Sequence, residues 1–301
     1  MADRGPIARF LRRYVVYPVQ GAAIYSAYFI GRAMSIEAAS AAGSMLFRTI
    51  GSRMRVDGVA RRNLRRAMPS LSDEALDRIV RGMWDNLGRG AGECAHLDRL
   101  MTPEGHDRVE ALGVENLDRL REDGRPGILF SAHMANWELA CIATSYFNLP
   151  TGHIYRPAEN PFIDRLFKRM RHRITGPRIR KGRDGVRQAL LHMRDGGHLA
   201  VLVDQKLNEG MPVPFFGHDA MTPTAPARLA LRFRCPVVPV RLERLPGVRF
   251  RITFFPPLDL PDTGDSETDT RLLLTEMTRI IEDWVRERPE QWLWVHRRWP
   301  D

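Results

Sequence analysis

The stretch Gly127-Ile128-Leu129-Phe130-Ser131-Ala132-His133-Met134-Ala135-Asn136-Trp137-Glu138 decides the fold. It opens with a short apolar run of strand type, and a helical pattern follows from Asn136 to about Phe147. His133 therefore stands where a strand ends, and Glu138 about one turn into the next helix. The alternation continues downstream. His153-Ile154-Tyr155 reads as strand, and Pro161 to Arg173 and Asp184 to Met193 as helices. Leu199-Ala200-Val201-Leu202-Val203 is a fully apolar strand of the kind buried on both faces. Ala225 to Phe233 is helical, Val237 to Leu242 and Phe250 to Phe255 are strands, and Arg271 to Glu287 is a long amphipathic helix. Strands alternating with helices predict an α/β fold, a mixed central sheet flanked by helices.

Upstream, Ser35 to Leu120 reads as helices. Asn63, Leu64, Ala67 and Met68 keep one face until Pro69 stops the helix. Ser72 is placed to cap a second helix, with its stripe at Ala75, Leu76, Ile79, Val80 and Met83. Before these lies an uncharged run, Tyr14 to Gly31, preceded by Arg9, Arg12 and Arg13. It is just long enough to span a bilayer. Pro18, Gln20 and several tyrosines leave it only moderately apolar. Ala39-Ser40-Ala41 mimics a signal-peptidase site, but Tyr25, Tyr28 and Arg32 interrupt the apolar stretch that should lead to it. The expectation is a retained helical anchor over residues 1–34, spanning the membrane or lying in its interface. The competing reading is a buried core helix. Arginines flank the run on both sides, so the positive-inside rule does not orient it.

The 301 residues suffice for one large α/β domain or two modest ones, and a hydrophobic share of 44% excludes a disordered chain. The net charge of +10 favours acidic partners: nucleic acid, anionic lipid or an acidic carrier protein. No helix-turn-helix, zinc-finger or RNA-motif signature accompanies that charge, so no nucleic acid is expected. Cys94, Cys141 and Cys235 are too sparse for a disulfide framework and fit a reducing compartment. No pair has zinc-site spacing, and Cys94 with His96 does not make a ligand set. Neither metal nor cofactor is expected.

A histidine at a strand end can take a proton from an incoming hydroxyl. A carboxylate just inside the following helix can curl back to hold the imidazole, as the aspartate does in protease triads. On spacing alone most such pairs are incidental. The pattern is not that of a metalloprotease, which needs two histidines one turn apart. The chain also lacks the Gly-x-Ser-x-Gly elbow of a standard lipase.

Taken together, several blocks resemble the bacterial lipid A biosynthesis acyltransferases, a family within the glycerolipid-acyltransferase-like fold. Asn63-Leu64 before Pro69 matches an early helical segment, and His133-Met134-Ala135-Asn136-Trp137-Glu138 an H-x-x-N-W-E core. Tyr155-Arg156-Pro157 with Asn160-Pro161 forms the next block. Asp204-Gln205 with Val213-Pro214-Phe215-Phe216-Gly217 forms a third. Pro289-Glu290-Gln291-Trp292-Leu293-Trp294 with His296-Arg297-Arg298-Trp299 resembles the C-terminal signature. The chain ends two residues past Trp299. The resemblance implies His133 as general base with Glu138 as its partner, an acyl donor on acyl carrier protein, and a lipid A precursor as acceptor. It implies an inner-membrane enzyme whose catalytic domain faces the cytoplasm. The element pattern itself divides the rest of the chain into a helical part over 35–120 and an α/β catalytic part over 121–301.

A cationic segment runs from Arg165 through Lys168, Arg169, Arg171, Arg173, Arg178, Arg180, Lys181 and Arg183 to Arg187, with Asp184 the one acid among those positions. Arginine recognises phosphate bidentately, and an acidic carrier or anionic leaflet would serve equally. The bland alternative is a solvated helix face. Arg156 and Arg171 match family positions and are the expected substrate-binding residues, together with Asp204 and Gln205. Asp204 follows a buried-type strand, where it is either a site residue or a cap. Phe215-Phe216 either lines an acyl pocket or packs a core. Two rival activities keep the same dyad: hydrolysis, with His133 activating water, and acyl-CoA-dependent acylation of another glycolipid such as a phosphatidylinositol mannoside.

Overall fold

The computed structural model describes residues 5–102 and 107–299. The N-terminal helices come first. Pro6–Leu11 (α1) passes through a π-helical turn at Arg12–Val16 into Tyr17–Ala33 (α2). Ser35 caps Ile36–Gly51 (α3) by accepting from the Ala38 N–H, and Arg55–Ala67 (α4) ends before Pro69. Ser72 caps Asp73–Glu93 (α5) through the Ala75 N–H, and Leu97–Leu100 (α6) follows a short 3₁₀ turn. α3 and α5 pack closely, because glycines line their contact. A methyl group on Gly43, Gly88 or Gly92 would collide with the facing backbone.

Next come Val109–Leu112 (β1), Glu115–Glu122 (α7), Ile128–Ser131 (β2), Glu138–Tyr146 (α8) and Thr151–Tyr155 (β3). Then follow Pro161–Met170 (α9), Arg178–Arg180 (β4), Arg183–Arg194 (α10) and His198–Leu202 (β5). The hairpin Met211–Phe215 (β6) and His218–Thr222 (β7) precedes Ala225–Phe233 (α11). Val237–Leu245 (β8), Arg249–Phe254 (β9) and Ser266–Glu287 (α12) complete the order.

Among the described residues the main sheet has seven strands in the order β1-β9-β8-β2-β5-β3-β4. β8, β2, β5, β3 and β4 are mutually parallel, while β9 runs antiparallel to β8 and carries β1 beside it. The expected α/β class with a mixed sheet is what forms. The central strand β2 is buried along its whole length, as a parallel strand covered by helices on both faces must be. One face buries Phe130, Val201 and Val237 with α4, α5, α11 and α12. The other buries Leu129, Val238 and Phe250 with α6, α7 and α8. Each such side chain contributes about 1.5–3 kcal/mol by leaving water.

The N-terminal run differs from the expected spanning segment. Among the described residues no helix is long and apolar enough to cross a membrane. The sequence divides α2 into two faces. On one, Gly21 lies against Phe162, Tyr25 and Tyr28 join a core cluster, and Arg32 forms a two-pronged ion pair with Asp98 at 2.5 and 2.7 Å. On the other, Val19, Ile24, Phe29 and Ile30 are exposed.

Candidate active site

β2 and β5 are neighbours in register, with Ser131 opposite Leu202. The Val203 N–H also reaches the Ser131 carbonyl at 3.2 Å. The residues that leave the sheet after these strands, Ala132-His133 and Val203-Asp204, therefore emerge side by side at the carboxyl ends, where α/β sheets place their ligands. Asp204 is buried, and its carboxylate holds His133 twice. Oδ1 faces the imidazole Nδ1 at 2.7 Å, and Oδ2 accepts the His133 main-chain N–H at 2.8 Å. Oδ2 also accepts the indole N–H of Trp292 at 2.8 Å. Burial acts to raise the Asp204 carboxyl. The charge of His133, its two hydrogen bonds and the indole outweigh that burial and bring the group down to about 2. A carboxylate facing Nδ1 fixes the tautomer with the proton on Nδ1 and the lone pair on Nε2. The Gln205 side-chain amide lies 3.1 Å from that Nε2.

The loop from His133 to Glu138 turns sharply. Ala135 adopts a left-handed conformation at φ 50°, a backbone cost of about 1–2 kcal/mol for a residue with a side chain. The C-terminal segment fastens this turn. Ala135 donates to the Gln291 carbonyl at 2.9 Å, Leu293 donates to the His133 carbonyl at 3.1 Å, and Met134 bridges to Trp292. Asn63 in turn holds that segment through the carbonyls of Trp294 and His296, at 2.8 and 2.7 Å. Beneath the turn, Asn136 donates to Glu93 at 2.9 Å. Asn86 donates to the Ala135 and Gln291 carbonyls, each at 3.2 Å.

Glu138 is placed differently from the reading of its spacing. Its carboxylate does not hold His133. It forms a two-pronged pair with Arg171, 2.6 Å to Nε and 2.5 Å to Nη2. Glu138 is the first residue of α8, and its carboxylate meets the guanidinium of Arg171, the C-cap residue of α9. Asp204 occupies the Nδ1 side of the ring instead. Of the six expected site residues, the fold brings together His133, Asp204 and Gln205. Glu138 and Arg171 form a second group, and Arg156 lines a concavity with Tyr155, Asp164, Phe167, Lys168, Arg171 and Arg178. Among the described residues no group of three or more metal-ligating side chains occurs.

The model of the bacterial lipid A biosynthesis acyltransferase family matches residues 9–301. The chain belongs to that family. A lipid A biosynthesis acyltransferase of Haemophilus influenzae is 25% identical over 248 residues, covering 78% of this chain and 73% of the relative. A lipid A biosynthesis lauroyltransferase of Escherichia coli is 26% identical over 249 residues, covering 80% and 78%. A lipid A biosynthesis palmitoleoyltransferase of the same organism is 25% identical over 252 residues, covering 81% and 78%. The chain is an acyltransferase.

Several parts of this lipid A biosynthesis acyltransferase site were not assigned from sequence. Trp292 lay in the quoted C-terminal block, but nothing in its spacing announced a bond to Asp204. His296 sits close enough to feel both Asp204 and His133, and burial holds it below the ordinary histidine range. Phe215 and Phe216 pack instead of lining an open pocket. They are buried among Trp292, Trp294 and Trp299, with ring centroids 4.8–6.4 Å apart.

Proposed function

We propose that this acyltransferase moves a fatty acyl chain from the thioester of acyl carrier protein to a hydroxyl of a lipid A precursor, with His133 as general base and Asp204 as its partner. The observation that carries the reading is the doubly held imidazole, with Nε2, its basic nitrogen, facing the Gln205 amide. The acceptor O–H gives its proton to Nε2 while its oxygen attacks the thioester carbon. The tetrahedral oxyanion then collapses, the C–S bond breaks, and the imidazolium returns the proton to the departing thiolate. Asp204 stabilises the imidazolium formed between these steps. The Gln205 amide occupies the hydrogen-bonding position on Nε2 that the acceptor hydroxyl takes over. Once displaced, its N–H lies near the reacting carbonyl, where oxyanion stabilisation is needed. The names of the relatives favour a lipid A precursor over another glycolipid, and the basic surface around Arg156 and Arg178 suits an acidic carrier.

The same reading places the enzyme at the inner membrane, lying in its interface, with the site on the cytoplasmic side. Support comes from the outward faces of α1 to α3, where Ile7, Phe10, Val19, Ile30, Met45 and Leu46 are all more than half exposed. The test is transfer itself. Purified enzyme is mixed with acylated carrier protein and a lipid A precursor, and free thiol and acylated lipid are measured by mass spectrometry. Stoichiometric thiol and lipid product are expected. Thiol release without acylated lipid would mean hydrolysis and would overturn the reading.

A further inference from the structure

Glu138 carries the signature position of the H-x-x-N-W-E block, yet it is bonded to a guanidinium. We propose that Glu138 is a positioning residue for Arg171, and that the pair forms one wall of a subsite for a phosphate ester. This rests on the acyl-transfer reading above and adds to it where the substrate's phosphate sits.

Glu138 grips Arg171 by Nε and Nη2, which leaves the Nη1 edge of the guanidinium uncommitted by that pair. The plane is steadied from one side by the Phe167 ring, 5.5 Å from Cζ. Both partners are largely buried, with side-chain exposures of 13% for Glu138 and 29% for Arg171. A guanidinium so fixed is oriented before any ligand arrives, and preorganisation reduces the cost of binding. The concavity it lines also contains Tyr155, Arg156, Asp164, Phe167, Lys168 and Arg178.

Charge within this group is unbalanced. Lys168 pairs with Asp164 at 2.7 Å and Arg171 with Glu138. Arg156 and Arg178 have no carboxylate partner among the described residues, and the Arg178 guanidinium donates to the Lys168 and Arg171 carbonyls at 3.3 and 3.2 Å. Two cations thus face the concavity uncompensated, beside a locked third. A phosphate ester, doubly charged as a monoester or singly charged as a diester, complements that arrangement by charge and by fork geometry. Two sources supply such a group: a phosphate on the lipid acceptor, and the phosphodiester in the prosthetic arm of the carrier. In this role the signature glutamate acts on binding, and Asp204 is the carboxylate that acts on the imidazole.

The test compares Glu138→Gln with Asp204→Asn by thiol release. Acceptor is varied at saturating donor, then donor at saturating acceptor, each across a pH series. For Glu138→Gln we expect the KM of one substrate to rise by about 10- to 100-fold, the loss of one charge-assisted contact. Its kcat should change much less, and the pH inflection of kcat should stay in place. A raised acceptor KM assigns the phosphate to the lipid, and a raised donor KM assigns it to the carrier. Asp204→Asn should instead depress kcat and displace the inflection. If Glu138→Gln fails to fold, the double variant Glu138→Gln/Arg171→Gln removes the stranded buried charge and gives the same readout. A Glu138→Gln or double variant that lowers kcat as far as Asp204→Asn, moves the inflection and leaves both KM values unchanged would overturn the assignment. Failure of the wild-type enzyme to acylate the lipid would instead refute the acyl-transfer reading on which it rests.

Discussion

Glu93 and Arg244 form a buried two-pronged ion pair, 2.5 and 2.9 Å, directly beneath the turn that carries His133. Glu93 closes α5 and Arg244 stands near the end of β8, so the pair joins the helical segment to the sheet. Its other bonds are also used. Ser40 and Asn136 donate to Glu93, and Arg244 Nε donates to Asn86, each at 2.8–2.9 Å. A buried pair of this sort is costly to halve, since the remaining charge is left without a partner.

Arg244→Met should therefore cost about 3–5 kcal/mol of stability, and Glu93→Gln a similar amount, read by urea denaturation. The double variant Glu93→Gln/Arg244→Met should be more stable than the sum of the single losses allows. Strict additivity would show that the two side chains are energetically independent.

His133→Ala should reduce the rate by about 10²- to 10⁴-fold while the protein melts as the wild type does. Asp204→Asn should fall in the same direction, because the ring loses both its hold and the charge that stabilises imidazolium. Combining them should add little, as residues acting as one unit do not give additive losses. A folded His133→Ala enzyme retaining about a tenth of wild-type turnover, against that range, would refute general-base catalysis by this residue.

Gln205→Ala should lower kcat without raising the acceptor KM. The amide competes for Nε2 before the acceptor binds and assists only after it is displaced. The opposite pattern, an unchanged kcat with a higher acceptor KM, would make Gln205 a simple binding residue. Initial rates over an acceptor series separate the two.

His153 gives a pH signature. It is buried under the basic concavity, with Nδ1 unpartnered and Nε2 bonded to Thr151 at 2.9 Å. Burial, then Arg171 and Arg178, push it down to about 4. The unfolded chain takes up this proton near pH 6.5, before the folded chain does, so folding is penalised as pH drops. The penalty is absent above about pH 6.5 and complete below about pH 4, where it reaches about 3 kcal/mol. His153→Gln keeps the bond to Thr151 and should flatten the stability profile across that window. Parallel profiles for variant and wild type, by denaturant titration at each pH, would contradict this.

Paired substitutions Val19→Glu and Ile30→Glu should release the protein from anionic vesicles in a flotation assay. Both side chains are already exposed, so melting temperature should barely move. Retained binding would show that the outward face of α2 does not hold the membrane.

Much of the architecture was legible because buried parallel strands write continuous apolar runs. β2, β5 and β8 lay within a residue or a few of their expected bounds, and α11 matched at both ends. β1 and β4 were missed because they are short edge strands with charged alternate positions, Glu110 in one and Arg178 and Arg180 in the other. The β6–β7 hairpin was hidden by Pro212 and Pro214, which are tolerated there because their side of the strand is exposed. For the site, the strand-end position of His133 was readable. Its partner was not. Spacing along the chain favoured Glu138, five residues away, whereas the sheet sets β5 beside β2 and brings Asp204 from 71 positions on. Register between strands is a tertiary fact, and a linear motif does not encode it.

The fastening of the His133 turn by Gln291, Trp292 and Leu293 also sets an order in time. These residues are made after His133, Asp204 and every strand of the main sheet. Until then Asp204 lacks its indole donor, Ala135 has no carbonyl to hold its strained backbone, and the base is not fixed. A nascent or prematurely terminated chain is thus barren of transfer activity however much of its sheet has formed. The base is thus completed only once Gln291, Trp292 and Leu293 have joined the turn, and a lipid-modifying enzyme acquires its chemistry after its sheet.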